Sequence, residues 1–377
     1  MAMQNVRQFQ MLIDGVWSSA SDGKTLESID PSNNQLWATF PSASAEDVDR
    51  AVRAAHTAMY RGPWSRLTAT ERGKLLYRLS ELVFDHADDL ARVETKDTGK
   101  LYRETLWQVR YVAEYLRYFA GCADKLEGAT LPIDKPNTFV MTLREPIGVV
   151  AAVVPWNSQL MLTTVKLAPA LAAGNAIVVK ASEHAPTPLL EFGKLCLKAG
   201  FPNGVVNVIT GVGDPCGRTL TSHPLVARVA FTGGPSVARQ VIQNTANNFA
   251  SVSLELGGKS PMIVFDDADL DNAVNSILAG NFGASGQSCV AGSRVYIQAS
   301  IYDQVVERVA ERAKNIKLGD PFHEATEMGP LATAAQVTHI ETTLRDSVQA
   351  GGVIVTGGKR AADLAPGLFF EPTIISC

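Results

Sequence analysis

The segment from residue 146 to residue 254 most restricts what this chain can fold into, because only seven basic and three acidic side chains occur in its 109 residues. So few charges over such a length predict a largely buried layer. Short β-rich apolar runs recur within it and just beyond it: Ile147–Val154, Ala176–Val179, Val205–Ile209, Ala227–Phe231, Val252–Leu256 and Met262–Phe265. Helix-length segments separate them, around Leu160–Ala172, Pro188–Ala199, Pro215–Thr221 and Ser236–Asn247, with Gly174, Gly200 and Gly233 supplying turns. The alternation predicts an α/β chain whose parallel sheet carries helices on both faces. It resumes with a helix from Asp269 to Asn281, a strand at Arg294–Gln298 and helices over Ile301–Ile316 and Thr333–Ala350, followed by strands at Val353–Thr356 and Leu368–Ile375.

Residues 1–120 are different, with 15 basic and 16 acidic side chains. Ser44 with Asp47 and Thr68 with Glu71 read as capping boxes opening amphipathic helices, the second carrying Leu75, Leu76, Leu79, Leu82 and Val83 on one face. A third helical pattern covers Thr105–Phe119, where the spacing of Tyr111, Tyr115, Tyr118 and Phe119 reads as core packing. A length of 377 residues is enough for two or three domains.

A net charge of −4 without a run of like charges offers no footprint for nucleic acid, so small molecules and other subunits are the expected partners. Pro146–Val165 has no charge, but Pro155, Asn157, Ser158 and Gln159 near its middle favour a buried globular segment over a membrane span. The first 17 residues, interrupted by Arg7 and Asp14, do not read as a secretory signal. Five scattered cysteines without a C-x-x-C pair read as reduced thiols and a cytoplasmic setting.

Metal and serine-hydrolase readings fall away. The run Asp266, Asp267, Asp269, Asp271 has the wrong residues for a calcium loop, with Asp271 at its sixth position and Ile277 at its twelfth. His323-Glu324 lacks a second zinc-ligand histidine, and Gln287 breaks a G-x-S-x-G elbow at Gly283–Gln287. What remains is a group of polar residues beside apolar strands. Asn157, Lys180 and Glu183 follow strand ends, where parallel sheets bind ligands. Glu255, among apolar neighbours in SLELGGKSP, is either a buried base with a raised pKa or a satisfied structural carboxylate. Cys289, in the Gly/Ser-rich GASGQSCVAGSR, is either a nucleophile or an inert small hydrophobe. Gly233-Gly234 in FTGGPSVAR and Gly211 with Gly213 in ITGVGDPCG are two candidate phosphate turns, and neither forms a complete G-x-G-x-x-G.

Together these segments resemble the aldehyde dehydrogenase superfamily: PWN at Pro155–Asn157, VVKASEHAP at Val178–Pro186, FTGG at Phe231–Gly234, LELGGKSP at Leu254–Pro261 and GQSCVAGSR at Gly286–Arg294. MGPL at Met328–Leu331 and FFEPTII at Phe369–Ile375 extend the resemblance over nearly the whole chain. It implies a Rossmann-like cofactor domain in residues 1–124 and 147–257, a β-strand oligomerisation arm in 125–146, and a catalytic domain in 258–377. It also implies Cys289 as nucleophile, Asn157 as oxyanion donor and Glu255 as base for hydrolysis of a thioester, with no metal. The implied cofactor is NAD rather than NADP, held by Trp156, Lys180, Ser182, Glu183, Gly213, Phe231, Thr232, Gly233, Gly234, Leu256 and Gly257. Gly234 departs from the commoner serine of this motif, at the cost of roughly one neutral hydrogen bond, about 0.5–1.5 kcal/mol. Lys166 lies beside the matching motifs without an assigned role, and Leu160, Met161 and Trp107 are tunnel candidates indistinguishable from packing residues.

Three alternatives accompany this reading: an acylating relative using coenzyme A, which Glu255 argues against; a cysteine hydrolase or acyltransferase, which lacks an evident His partner; and a cofactor-binding or interaction protein without turnover. Chains resembling this one continue for roughly another hundred residues, so the catalytic domain is expected to be incomplete, with an exposed sheet edge, low stability and little turnover. By the same resemblance a full-length chain would form homodimers or homotetramers, and its substrate would be a small aldehyde.

Overall fold

The apolar runs between residues 149 and 256 hydrogen-bond into one seven-stranded sheet. A computed structural model describes residues 6–377; the first five, part of the segment read as carrying no signal, lie outside the described residues. The sheet consists of β1 (Met11–Ile13), β2 (Val16–Ser18), β3 (Val149–Val153), β4 (Ala176–Lys180), β5 (Val206–Ile209), β6 (Val226–Gly233) and β7 (Ser251–Leu256). Its order is β7-β6-β3-β4-β5-β1-β2, and every pair from β7 to β5 is parallel. β1 and β2 add an antiparallel hairpin, closed by Asp14 and Gly15, both at positive φ as a tight two-residue turn requires. The chain moves outward from β3 through β4 to β5, then returns to the other side of β3 for β6 and β7. Such a reversal opens a crevice at the C-terminal rim of the strands, between β3 and β6.

Both capping boxes form, at Ser44 before α1 (Ala45–Tyr60) and Thr68 before α2 (Ala69–Asp85). Next come α3 (Ala87–Thr98) and α4 (Tyr102–Cys122), then α5 (Gln159–Ala172), α6 (Thr187–Ala199), α7 (Arg218–Ser222) and α8 (Pro235–Thr245) between the strands. One continuous apolar core, including Leu76, Val112, Leu167, Val178, Phe192 and Val229, joins these helices to the sheet.

Three sequence expectations are corrected here. The aromatic stripe of α4 is not simply core: Tyr111 and Tyr118 are 46% and 66% exposed, because the helix buries the neighbouring face of Thr105, Val109, Val112, Ala113 and Leu116. The expected helix at Pro215–Thr221 begins only at Arg218; Asp214 is extended (φ −127°, ψ 123°), as a residue before proline tends to be. The expected strand Leu368–Ile375 is reduced to Ile374–Ser376 and one bridge at Phe370, with Pro372, which has no N–H to donate, between them.

Beyond the sheet, β8 (Pro261–Val264) pairs in parallel with β9 (Arg294–Ile297) against α9 (Leu270–Phe282) and α10 (Tyr302–Lys314), around a separate cluster of Val264, Val274, Ile277, Val305 and Val309. The acidic run at Asp266–Asp271 caps α9, since Asp269 accepts from the Asn272 N–H at 3.0 Å. Residues 125–146 form an exposed arm in which Thr130–Leu131 pairs with Val140–Met141, displaying Leu131, Ile133, Phe139, Met141 and Leu143.

Candidate active site

The crevice collects the polar residues picked out from the sequence. The 155–158 turn leaves β3 and leads into α5. Asn157, in this turn, directs its side-chain amide across to the Gln287 carbonyl at 2.8 Å, two residues before Cys289. The Gly257-Gly258 segment passes so close that a Cβ on Gly258 would lie 3.8 Å from the Cys289 carbonyl oxygen. Cys289 is exposed, whereas Cys196 and Cys216 are buried, and burial pushes both of those thiols far up, Cys216 to about 12. Of these three thiols only Cys289 has the access that nucleophilic chemistry requires.

A cavity of about 540 Å³ brings Cys289 together with Glu255, Lys166, Phe231, Thr232 and Leu256. Strand register sets this grouping: Thr232 of β6 lies opposite Glu255 of β7. The burial expected for Glu255 is not found. It is exposed, because β7 is an edge strand of the sheet among the described residues and its outer flank opens onto the cavity. Lys166, in contrast, is 8% exposed and donates to the Thr232 hydroxyl at 2.5 Å. Burial pushes its ammonium down to about 8, against the pull of the Glu255 charge.

The remaining expected cofactor residues lie along the same rim. Lys180, at the end of β4, is buried and forms an ion pair with Glu183 at 2.9 Å. Burial pushes the Glu183 carboxyl up, but the Lys180 charge and hydrogen bonds outweigh it and hold the pKa below its ordinary value. Ser182 is buried and accepts from the His184 N–H at 3.3 Å, stabilising the turn. Phe231 is a core residue whose ring lies 2.6 Å from where a Cβ on Gly233 would stand, so it shapes the glycine turn from beneath. Cβ atoms on Gly213, Gly234 or Gly257 would meet nothing within 4 Å, so each faces open space, and α8 starts directly after Gly234 without a side-chain cap. Trp156 is half-buried beside Asn157, and Leu256 is 37% exposed at the end of β7.

Two residues without an assigned role from sequence belong to this arrangement. In the sequence Lys166 is only a neighbour of the motifs, and Lys100 carries no signal at all, since a lysine between two helices ordinarily marks a solvated turn. Among the described residues no three His, Cys, Asp or Glu side chains group as a metal site, and no described helix is long and apolar enough to cross a membrane.

The model of the aldehyde dehydrogenase family matches residues 17–377. The chain belongs to this family. Within the aldehyde dehydrogenase family it is 53% identical, over 99% of its length and 75% of the relative's, to the (Z)-2-((N-methylformamido)methylene)-5-hydroxybutyrolactone dehydrogenase of Acinetobacter baylyi. Aldehyde dehydrogenase family 2 member C4 of Arabidopsis thaliana is 40% identical, over 99% of this chain and 75% of that one. Among solved structures, betaine aldehyde dehydrogenase from Staphylococcus aureus in complex with NAD+ superposes with a TM-score of 0.96 at 39% identity, covering 98% of this chain and 74% of that one. The NAD+ complex of aldehyde dehydrogenase from Bacillus cereus gives a TM-score of 0.95 at 38% identity, covering 99% and 76%. The α/β fold with a Rossmann-like parallel sheet is thus that of the aldehyde dehydrogenases.

Proposed function

We propose that this protein oxidises an aldehyde to a carboxylic acid through a thioester on Cys289, with NAD as hydride acceptor. The observation that carries this reading is the convergence of an exposed Cys289 and Glu255 on one cavity while Asn157 reaches the same cysteine loop. The Cys289 thiolate attacks the aldehyde carbon, forming a C–S bond and placing charge on the former carbonyl oxygen. The Asn157 amide and the Cys289 backbone N–H are the donors for that oxyanion. Glu255 then removes a proton from water as the water attacks the thioester; the C–S bond breaks, releasing the acid and restoring the thiolate.

The rim fits a dinucleotide. Gly213 and Gly234 leave the room that a side chain would fill, the uncapped start of α8 offers N–H groups to phosphate, and Lys180 with Glu183 suits ribose hydroxyls. Trp156, Ser182, Phe231, Thr232, Gly233, Leu256 and Gly257 complete the proposed site, Ser182, Phe231 and Thr232 chiefly by shaping its turns. When bound, NAD would accept the hydride that the C–S adduct loses as its carbonyl re-forms, which is what turns that adduct into the thioester. The Glu183 carboxylate disfavours a 2′-phosphate, so NADP is the poorer partner.

In domain terms, residues 1–124 and 147–257 bind the cofactor and 258–377 carry the nucleophile. The apolar arm at 125–146 is the surface for a second copy in a homodimer or homotetramer. The cytoplasm, with its reduced thiols, is the proposed setting. NADH absorbance followed with a panel of aliphatic, aromatic and amino aldehydes tests the reading. Turnover with at least one class, faster with NAD than with NADP, supports the reading and sets aside the little turnover expected from the sequence; no NADH from a protein shown to bind NAD would overturn it.

Lys166 gives this chemistry a pH dependence. Below about pH 8 its ammonium stands beside Glu255; above that pH the amine is neutral and can take up the proton Glu255 removes from water. The rate of thioester hydrolysis is therefore expected to rise about tenfold per pH unit toward pH 8, and Lys166→Met to flatten that limb. An unchanged limb in the variant would exclude Lys166 from proton transfer.

A further inference from the structure

Lys100 follows Gly99, whose φ of +75° ends α3 in a left-handed conformation and sends the chain back toward the crevice. Its side chain is 4% exposed. The three N–H groups of the ammonium are shared among four acceptors: Gln108 Oε1 at 2.7 Å, Ser158 Oγ at 3.0 Å, the Asn157 backbone carbonyl at 3.1 Å and Glu94 Oε1 at 3.2 Å. One buried charge thus ties α3 and α4 to the turn that carries Asn157.

Stability does not explain this placement. A buried Lys–Glu pair is often no better than apolar residues of the same volume, and here the other Glu94 oxygen is buried without a partner. The cation also stands at the start of α5, where the positive helix end disfavours it. Ser158 occupies the cap position of α5, yet it makes no capping bond to the helix; its hydroxyl accepts from Lys100 instead. The turn gives up a helix cap in favour of a contact to the lysine.

We propose that Lys100 is a positioning residue for Asn157. It fixes the Asn157 carbonyl from one side while the side-chain amide reaches the cysteine loop from the other, 2.8 Å from the Gln287 carbonyl. Asn157 is thereby held as a preorganised donor that need not reorganise when charge develops on the substrate oxygen. The inference rests on Asn157 being the oxyanion donor.

A four-protein cycle tests it: the parent, Lys100→Met, Asn157→Ala and the double variant, each assayed for NADH formation with an aldehyde the parent oxidises. Asn157→Ala is expected to lower kcat by roughly 10²–10³. Lys100→Met should lower kcat at least tenfold, leaving the KM for NAD and the rate of Cys289 alkylation by iodoacetamide within twofold of the parent. The double variant should be no slower than Asn157→Ala alone, because the lysine then has no donor left to position. A parental kcat in Lys100→Met, or a loss that multiplies fully with that of Asn157→Ala, overturns the proposal. A parental kcat in Asn157→Ala overturns the oxyanion reading itself and, with it, the role of Lys100. Should Lys100→Met not yield folded protein, Gln108→Leu removes the shortest contact and keeps the ion pair; the same cycle with it has the same two outcomes.

Discussion

Cys289→Ser is expected to lower aldehyde-dependent NADH formation by at least roughly a thousandfold, the scale on which loss of a nucleophile acts when the rest of its site is intact. The reason is chemical. A thiol is intrinsically strongly nucleophilic, whereas a serine hydroxyl needs a partnered base close by, and among the described residues the hydrogen bonds around position 289 supply none. Fold and cofactor binding should be unaffected, since Cys289 is exposed and lies outside the apolar core clusters of the described residues. NAD binding measured by fluorescence quenching and thermal unfolding should match the parent. Normal oxidation by the serine variant would sink the thioester mechanism, and loss of NAD binding would instead assign Cys289 a structural role.

Replacement of Glu255 by glutamine should separate the two halves of the reaction. In the proposed mechanism, forming the thioester needs Cys289 and the oxyanion donors, while clearing it needs a base for water. Glu255→Gln is therefore expected to give one rapid equivalent of NADH per active site, then a steady rate lower by about 10²–10⁴, the usual contribution of a general base. Quenched-flow measurement of NADH, with mass spectrometry of the acylated protein, would show both phases. If the first turnover slowed as much as the steady rate, Glu255 would act before the thioester, on the thiol itself.

The parallel sheet was legible because its strands are continuous apolar runs, and a strand buried on both faces can hardly look otherwise. Asn157, Lys180 and Glu183 were legible for a related reason, being polar residues at strand ends. The condition of Glu255 was not, because its apolar neighbours suggest burial while its exposure follows from the sheet order, which places β7 at an edge. Tyr111 and Tyr118 misled in the opposite direction: their helical spacing is genuine, but α4 has two adjacent faces and the smaller residues occupy the buried one. Lys100 was invisible because its meaning lies in a contact to residue 157 made only after α3, α4 and the sheet have packed. The Asn157–Gln287 bond, across 130 residues, is similarly a product of tertiary structure alone.

The edge position of β7 also has a consequence for cooperativity. Glu255 keeps its place through a ladder to a single neighbour, and a slip of one residue against β6 would turn its side chain to the opposite face. Asn157, by contrast, extends from β3, which has partners on both sides. Fraying begins where contacts are fewest, so Glu255, the proposed base, sits on a less stable unit than Asn157, the proposed oxyanion donor. As temperature rises, the protein would first become a trap that acylates itself and cannot release its product, and only later an unfolded chain.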